Sequence, residues 1–193
     1  MSNANIFIIE SLSITEENSG HIEGKIISDI LRLSGKKSLY MYIHTIKELE
    51  DALLEFRKSD YRYLHLSCHG CPTGIFISDI FIDFASLSKL LTPHLFNKRL
   101  FLSSCSITQK KLAYLLFPKS GCYSILGPTD DVLIRDAAIM WASFYHRIFK
   151  EDMYQIIRRS MSKYARMVSK LFNIPLALYY PGRKIPVLCE IIK

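Results

Sequence analysis

Short apolar runs alternate with helix-spaced stretches along the first half of the chain. Ile6-Phe7-Ile8-Ile9 reads as a buried strand, being short, apolar and bounded by polar residues. Residues 12–19 are polar and read as a loop. From His21 to Leu33, Ile22, Ile26, Ile27, Ile30, Leu31 and Leu33 recur at helical spacing, and Gly35 ends the segment. Leu39 to Ile43 reads as a second strand. Thr45, with Glu48 three residues later, forms a capping box that opens a helix running to about Lys58. Tyr63 to Ser67 is a third strand. This βαβαβ order predicts a parallel sheet with helices on both faces.

The rhythm changes after His69-Gly70. Cys71 to Gly74 is a turn, and Ile75-Phe76-Ile77 with Ile80-Phe81-Ile82 predicts a small β-hairpin. Phe84 to Leu91 predicts a short helix stopped by Pro93, Leu100 to Ser103 a fourth sheet strand, and Gln109 to Phe117 a helix ended by Pro118. Tyr123 to Gly127 is a fifth strand. Helices follow over Arg135 to Phe149 and Met153 to Phe172, then strands over Leu176 to Tyr180 and Val187 to Ile192. No repeat, low-complexity segment or linker interrupts the pattern, so residues 1–193 read as one domain.

Composition narrows the classes. A hydrophobic content of 49% with 12% aromatics excludes a disordered chain. No apolar run approaches the length of a membrane-spanning helix, and the N-terminus lacks the charged and cleavable parts of a signal peptide. The five cysteines, Cys68, Cys71, Cys105, Cys122 and Cys189, are odd in number and mostly sit in apolar strand-like runs. That argues against a secreted disulfide framework and for a reducing cytoplasm. The net charge of +7 is spread along the chain. The most basic segment, with Arg158, Arg159, Lys163, Arg166 and Lys170, reads as the solvated face of the last helix. Without an RNA-binding fingerprint, zinc-finger spacing or dense basic run, nucleic acid is not an expected partner.

Two strand ends carry the chemistry. Tyr63-Leu64-His65-Leu66-Ser67-Cys68 leads into His69-Gly70, and Leu100-Phe101-Leu102-Ser103-Ser104 leads into Cys105. In open α/β sheets function collects at the carboxyl ends of strands. A cysteine nucleophile needs its thiolate form and a histidine to raise that population and carry the proton. His69 and Cys105 meet this need if their strands are neighbours. Gly70 leaves room for substrate, and its N–H could join that of Cys105 in an oxyanion hole. The structural alternative makes Cys105 a buried small residue and His69 a turn residue. A rival chemistry reads Cys68 and Cys71 as a C-x-x-C redox pair or half a zinc site, but a turn and hairpin follow where redox motifs open a helix. His65 reads as a hydrogen-bonded core histidine, and Ser67, Ser103 and Ser104 as packing residues or local hydrogen-bonders. No metal and no cofactor is expected.

The strand-His-Gly and strand-Ser-Cys motifs together resemble caspase-like cysteine peptidases of clan CD, and are most similar to the CHAT-domain branch. The resemblance extends to the hairpin Gly74-Ile75-Phe76-Ile77-Ser78-Asp79 with the helix Phe84 to Leu91, to Gly121-Cys122-Tyr123-Ser124-Ile125-Leu126-Gly127-Pro128, and to Asp136-Ala137-Ala138 through Phe144-Tyr145. It implies a caspase-like three-layer α/β sandwich with a mostly parallel six-stranded sheet. It implies a cysteine endopeptidase acting by limited proteolysis, as in bacterial signalling or defence, with His69 as catalytic histidine, Cys105 as nucleophile and a dyad that often lacks a third, carboxylate member. The partners implied are a protein or peptide substrate and a regulatory protein acting in trans. Relatives that cut after Arg or Lys use pocket carboxylates, for which Glu10, Asp130, Asp131 and Asp136 are the candidates here. The alternative within the same resemblance is an inactive interaction module whose His and Cys are relics.

Overall fold

Each predicted apolar run becomes a strand laid beside its neighbours, with the helix-spaced stretches folded over the two faces. The computed structural model describes residues 5–20, 22–104, 110–151, 156–182 and 187–193. In chain order, β1 (Ile6–Ser11), α1 (Ile14–Asn18), α2 (Glu23–Leu33), β2 (Ser38–Tyr42), α3 (Ile46–Lys58) and β3 (Tyr63–Cys68) form the first half. A small sheet follows from β4 (Gly70–Cys71), β5 (Gly74–Ile77) and β6 (Ile80–Asp83), then α4 (Phe84–Leu91) and β7 (Arg99–Ser103). The chain closes with α5 (Lys110–Ser120), β8 (Ser124–Pro128), α6 (Ile134–Glu151), α7 (Arg158–Phe172), β9 (Leu176–Pro181) and β10 (Val187–Ile192).

The main sheet has seven strands in the order β10-β9-β8-β7-β3-β1-β2. The pairings from β2 through β8 are parallel, and β9 and β10 add antiparallel pairings at one end. This is a mostly parallel three-layer α/β fold, as expected, with seven strands rather than six. The extra strand is an edge: β10 pairs along the whole of β9, burying Val187 and Ile192 and exposing Leu188 and Ile191. After β1 the chain passes to β2 on one side and then to β3 on the other. The strand order therefore reverses at β1/β3, which is where such sheets open a crevice at their carboxyl ends.

Alternation along the strands sorts residues between two cores. Phe7, Ile9, Leu64, Leu66, Leu100 and Leu102 pack under α3, α4 and α5. Ile6, Ile8, Tyr63, Phe101 and Leu126 pack under α2, α6 and α7, against Trp141, Phe144 and Tyr145. Three local readings change. The last helix begins at Arg158, after an extended Ile157, rather than at Met153, which lies outside the described residues. Residues 12–19 contain the short helix α1 rather than only a loop. The helix before Pro118 continues through it to Ser120; a proline so near the end disturbs only the last turn.

Candidate active site

The strands that carry the two motifs, β3 and β7, are direct neighbours, paired in parallel with Ser67 beside Ser103. His69 stands two residues beyond Ser67, and Ser104 one beyond Ser103. Cys105 lies outside the described residues, and Ser104 is the last described residue before it. Ser104 is buried, and its Oγ lies 3.8 Å from the Cys68 Sγ. Cys68 belongs with Leu64 and Leu66 in the α3/α4/α5 core, on the opposite face of β3 from Ser67. Cys68 and Cys71 lie on different strands, and Cys71 Sγ meets Thr73 Oγ1 at 3.3 Å. Among the described residues, no group of three His, Cys, Asp or Glu side chains could hold a metal ion. Gly70 is half-buried, directly after His69, and pairs with Ile75 across the small sheet.

His69 has a carboxylate partner. Its Nε2 lies 2.5 Å from Glu16 Oε2. Glu16 comes from α1, where Ser13 is the N-cap and Glu16 completes a capping box. The Ser13 hydroxyl donates to the same Oε2 at 2.6 Å, and the Ser13 N–H donates to it at 3.2 Å. Partial burial pulls the Glu16 carboxyl upward, but the bonds from Ser13 and His69 outweigh this and hold it below the usual range.

Two further carboxyls are buried at the crevice, on the α2/α6 side of the sheet. Glu10, near the end of β1, is completely buried. Its Oε1 accepts from the Gly24 N–H at 2.8 Å, and its Oε2 accepts from the Tyr40 hydroxyl at 2.8 Å. Gly24 permits this approach, because a Cβ there would lie 2.9 Å from Ile8 Cγ2 and 3.1 Å from Glu10 Oε2. Burial raises the Glu10 carboxyl, against the hydrogen bonds that lower it. Glu23, in the first turn of α2, accepts from Ser103 Oγ at 2.6 Å and from Ser67 Oγ at 2.9 Å. Burial pushes its carboxyl up to about 8, and the Glu10 charge adds to the rise against the two serines. Glu23 therefore holds its proton at neutral pH. Behind it, His65 Nδ1 meets the Tyr145 hydroxyl at 2.8 Å. Burial lowers the His65 ring to about 3, so it stays neutral. The 3.8 Å approach of His65 Nε2 to Glu23 Oε1 is thus a contact of two uncharged groups, not an ion pair.

These side chains open onto a narrow cleft of about 30 Å³, room for about one or two waters. Glu23, Ser67, His69, Ser103 and Ser104 form its polar wall, and Leu12, Pro128, Val132, Ile134 and Ala137 close it. Asp130 and Asp131 are exposed and Asp136 is half-exposed; none of the three lines the cleft. Asp136 sits 3.7 Å from the Arg135 Nε in the first turn of α6.

The fold has solved neighbours. A secreted C11 cysteine protease from Bacteroides thetaiotaomicron, in complex with an irreversible peptide inhibitor, superposes with a TM-score of 0.60 at 6% identity, over 92% of this chain and 66% of that one. An inactive zymogen C11 protease from Parabacteroides distasonis gives 0.62 at 11% identity, over 93% and 63%. This chain shares their fold. The Arg-specific cysteine proteinase gingipain R matches at 0.52 and 14% identity, over 88% of this chain and 42% of that one. The chain thus spans less than two thirds of each neighbour's length. No family model matches the sequence, and no curated protein matches it.

Sequence reasoning missed Glu16 and Glu23. The Ser13-Ile14-Thr15-Glu16 spacing is itself a capping-box signal and could have revealed α1. Glu23 reads as an ordinary first-turn acid, and only the packing of α2 onto β1 turns it inward.

Proposed function

We propose that the chain is a cysteine endopeptidase of the caspase-like class, with His69 as general base and acid and Cys105 as nucleophile. The observation that carries this reading is the position of His69 at the end of β3, held by a carboxylate, beside the end of β7 that leads into Cys105. The thiol of Cys105 gives its proton to His69 and the thiolate adds to the scissile carbonyl carbon. The C–N bond breaks as the amine leaves with that proton, and a thioester remains. Water attacks the thioester, losing a proton to His69, which returns it to the departing thiolate. The N–H groups of Gly70 and Cys105 are the proposed donors to the tetrahedral oxyanion. Within clan CD we keep the CHAT branch, on the order and spacing of the motifs, and place the chain in the cytoplasm on its odd number of cysteines, most of them in apolar strand-like runs. Among the described residues no helix is long and apolar enough to cross a membrane. A regulatory protein in trans remains part of the proposal.

The substrate we favour carries a basic P1 residue. Glu23 lies on the cleft wall with Glu10 behind it, and a cation entering there would meet a carboxyl that can ionise against it. Asp130, Asp131 and Asp136 would act from the rim, where water screens them. Val132 and Ile134 line the same cleft. Its small volume also favours a second reading, an inactive interaction module. A peptide-library assay with wild type and Cys105→Ala separates them. Cleavage after Arg or Lys by wild type, lost in Cys105→Ala, is the expected result; cleavage undiminished by the substitution, or none from either protein, overturns the peptidase reading.

A further inference from the structure

We infer that the groove along α2, α6 and α7 is a docking site for an amphipathic helix with acidic flanks, carried by a partner protein. The inference goes beyond the peptidase reading and uses none of its catalytic residues.

The periodicity of α6 makes the groove. One side of the helix, with Met140, Trp141, Phe144 and Tyr145, fills the core. Toward the groove stand Ala138, Ile139 and Ala142, with α2 and α7 packed along either flank. The two alanines lie one turn apart and are buried, so they leave a trough between bulkier walls. Ile26 and Ile30 form the α2 wall, and Leu171 stands on the α7 wall. The hollow they line measures about 470 Å³. A second hollow of about 300 Å³, lined by Leu31 and Phe149, continues it along α2 and α6, and His146 lines both. From Ala138 to Lys150 the groove runs about 18 Å at about 1.5 Å per residue, the length of about three helical turns. Its apolar side chains lie in water: Ile26 and Ile30 are exposed, Ile139 by 56% and Leu171 by 68%. A contiguous apolar patch marks an interaction surface, where scattered single residues do not.

Charge and shape choose the occupant. Lys36, Arg147 and Lys150 line the two hollows, and among the described residues no Asp or Glu does. None of these three cations has a carboxylate partner among the described residues; Arg147 lies over the Tyr164 ring. α7, alongside, carries no acid at all. An apolar stripe with acidic flanks matches this rim. A helix presents such a stripe at i, i+3 and i+4, and seats in a groove of this kind. A flat bilayer does not fill a concave trough, and an apolar floor offers nothing to a nucleic-acid backbone. An added β-strand needs a sheet edge, which a helical groove lacks. The groove and the cleft also share two helices. Glu23 in the first turn of α2, and Ile134 and Ala137 in the first turn of α6, line the cleft. A partner seated here holds the helices that wall it.

The probe is a fluorescently labelled amphipathic peptide of about 18 residues, long enough to hold a helix, with Leu at every third or fourth position and Glu beside them. It is titrated with the full chain and read by anisotropy. Saturable binding is expected, at least about 10-fold tighter than for the same peptide with Lys in place of Glu. Ile139→Glu puts an acid on the apolar floor and should weaken binding about 10-fold or more. The double variant Arg147→Glu, Lys150→Glu should reverse the preference, so that the Lys peptide binds better. All three positions are exposed, so both variants should keep the fold, which a thermal melt checks, and they test the groove independently. No binding, equal affinity for the two peptides, or binding unchanged in Ile139→Glu overturns the inference. So does binding to phosphatidylserine–phosphatidylcholine vesicles in place of the peptide, which makes this face a lipid site. A dimer of the chain broken by Ile139→Glu in sedimentation overturns it too, with a second copy as occupant. None of these results depends on Cys105→Ala, so the groove and the peptidase reading fail separately.

Discussion

The two faces of β3 are built differently. On one, Leu64, Leu66 and Cys68 pack among the leucines and isoleucines of α3, α4 and α5. On the other, Tyr63 packs against Phe101 and Phe149, but His65 and Ser67 lead into a buried polar cluster with Glu10, Glu23 and Ser103. The apolar face needs only shape and volume. The polar face holds together because almost every group has a partner, since an unpaired buried group costs about 1–3 kcal/mol. His65 Nε2 is one exception, with no hydrogen-bond partner beside Glu23. The apolar face serves to hold the sheet, and the polar face concentrates at the carboxyl ends, where the crevice opens. Three measurements would break or sharpen this contrast.

The largest effect belongs to the apolar face. Leu102, beside Leu66 on the neighbouring β7, is fully buried in the same core. Leu102→Ala should cost about 2–5 kcal/mol in chemical denaturation, from lost transfer energy plus the cavity left behind. A loss under about 1 kcal/mol would mean that this face is loosely packed.

The next effect is the pH signature of the polar face. Glu23 is raised from its ordinary value to about 8, so its contribution to stability is fully present below the ordinary carboxyl range and is lost as pH rises through 8. His65 is lowered to about 3, so its contribution is present above the ordinary imidazole value and is lost as pH falls through 3. Between the two ordinary values the slopes cancel. These two groups predict a plateau from about pH 4.5 to 6.5, with stability falling above it by at most about 1.4 kcal/mol per pH unit. Glu10 is raised in the same direction as Glu23, so its contribution is also lost as pH rises. Melting temperatures from pH 6.5 to 8 should decline in wild type and flatten in Glu23→Gln. Parallel curves for the two proteins would assign the decline to another group.

The smallest effect sets the baseline on the same helix. Asp29 lies on the outer side of α2, paired at 2.6 Å with Lys25, both about half exposed. Asp29→Asn should change stability by less than about 0.5 kcal/mol, because exposed pairs are screened and lose side-chain entropy. A change as large as that of Glu23→Gln would mean that α2 does not separate an inner acid from an outer one.

Much of the fold was legible in the sequence. Runs such as Ile6 to Ile9 and Leu100 to Ser103 have the length and polarity of strands buried on both faces, and the Thr45/Glu48 box opens α3 where expected. The seventh strand was harder. β10 is an edge with Leu188, Cys189 and Ile191 exposed, so its pattern does not state whether it joins the sheet. At the site, His69 stands out because it follows a strand and precedes a glycine. Its carboxylate did not stand out, since Glu16 sits in a polar stretch whose capping box fixes a helix turn but names no distant partner. Glu10 was legible as an acid ending a strand; its enclosure by Gly24 and Tyr40 was not.

The sequence by itself determined the alternation of strands and helices, the mostly parallel sheet and the two motifs at strand ends. These follow from local periodicity and from the handed, short connections that βαβ units allow. Tertiary structure alone decided which acids matter where. Glu10, Glu16 and Glu23 are alike as residue types within a span of 14 positions. One ends enclosed behind the crevice, one grips His69, and one keeps a proton on the cleft wall. Their differences come from desolvation and from hydrogen-bond partners tens of residues away, such as Tyr40, His69 and Ser103, which no local pattern encodes.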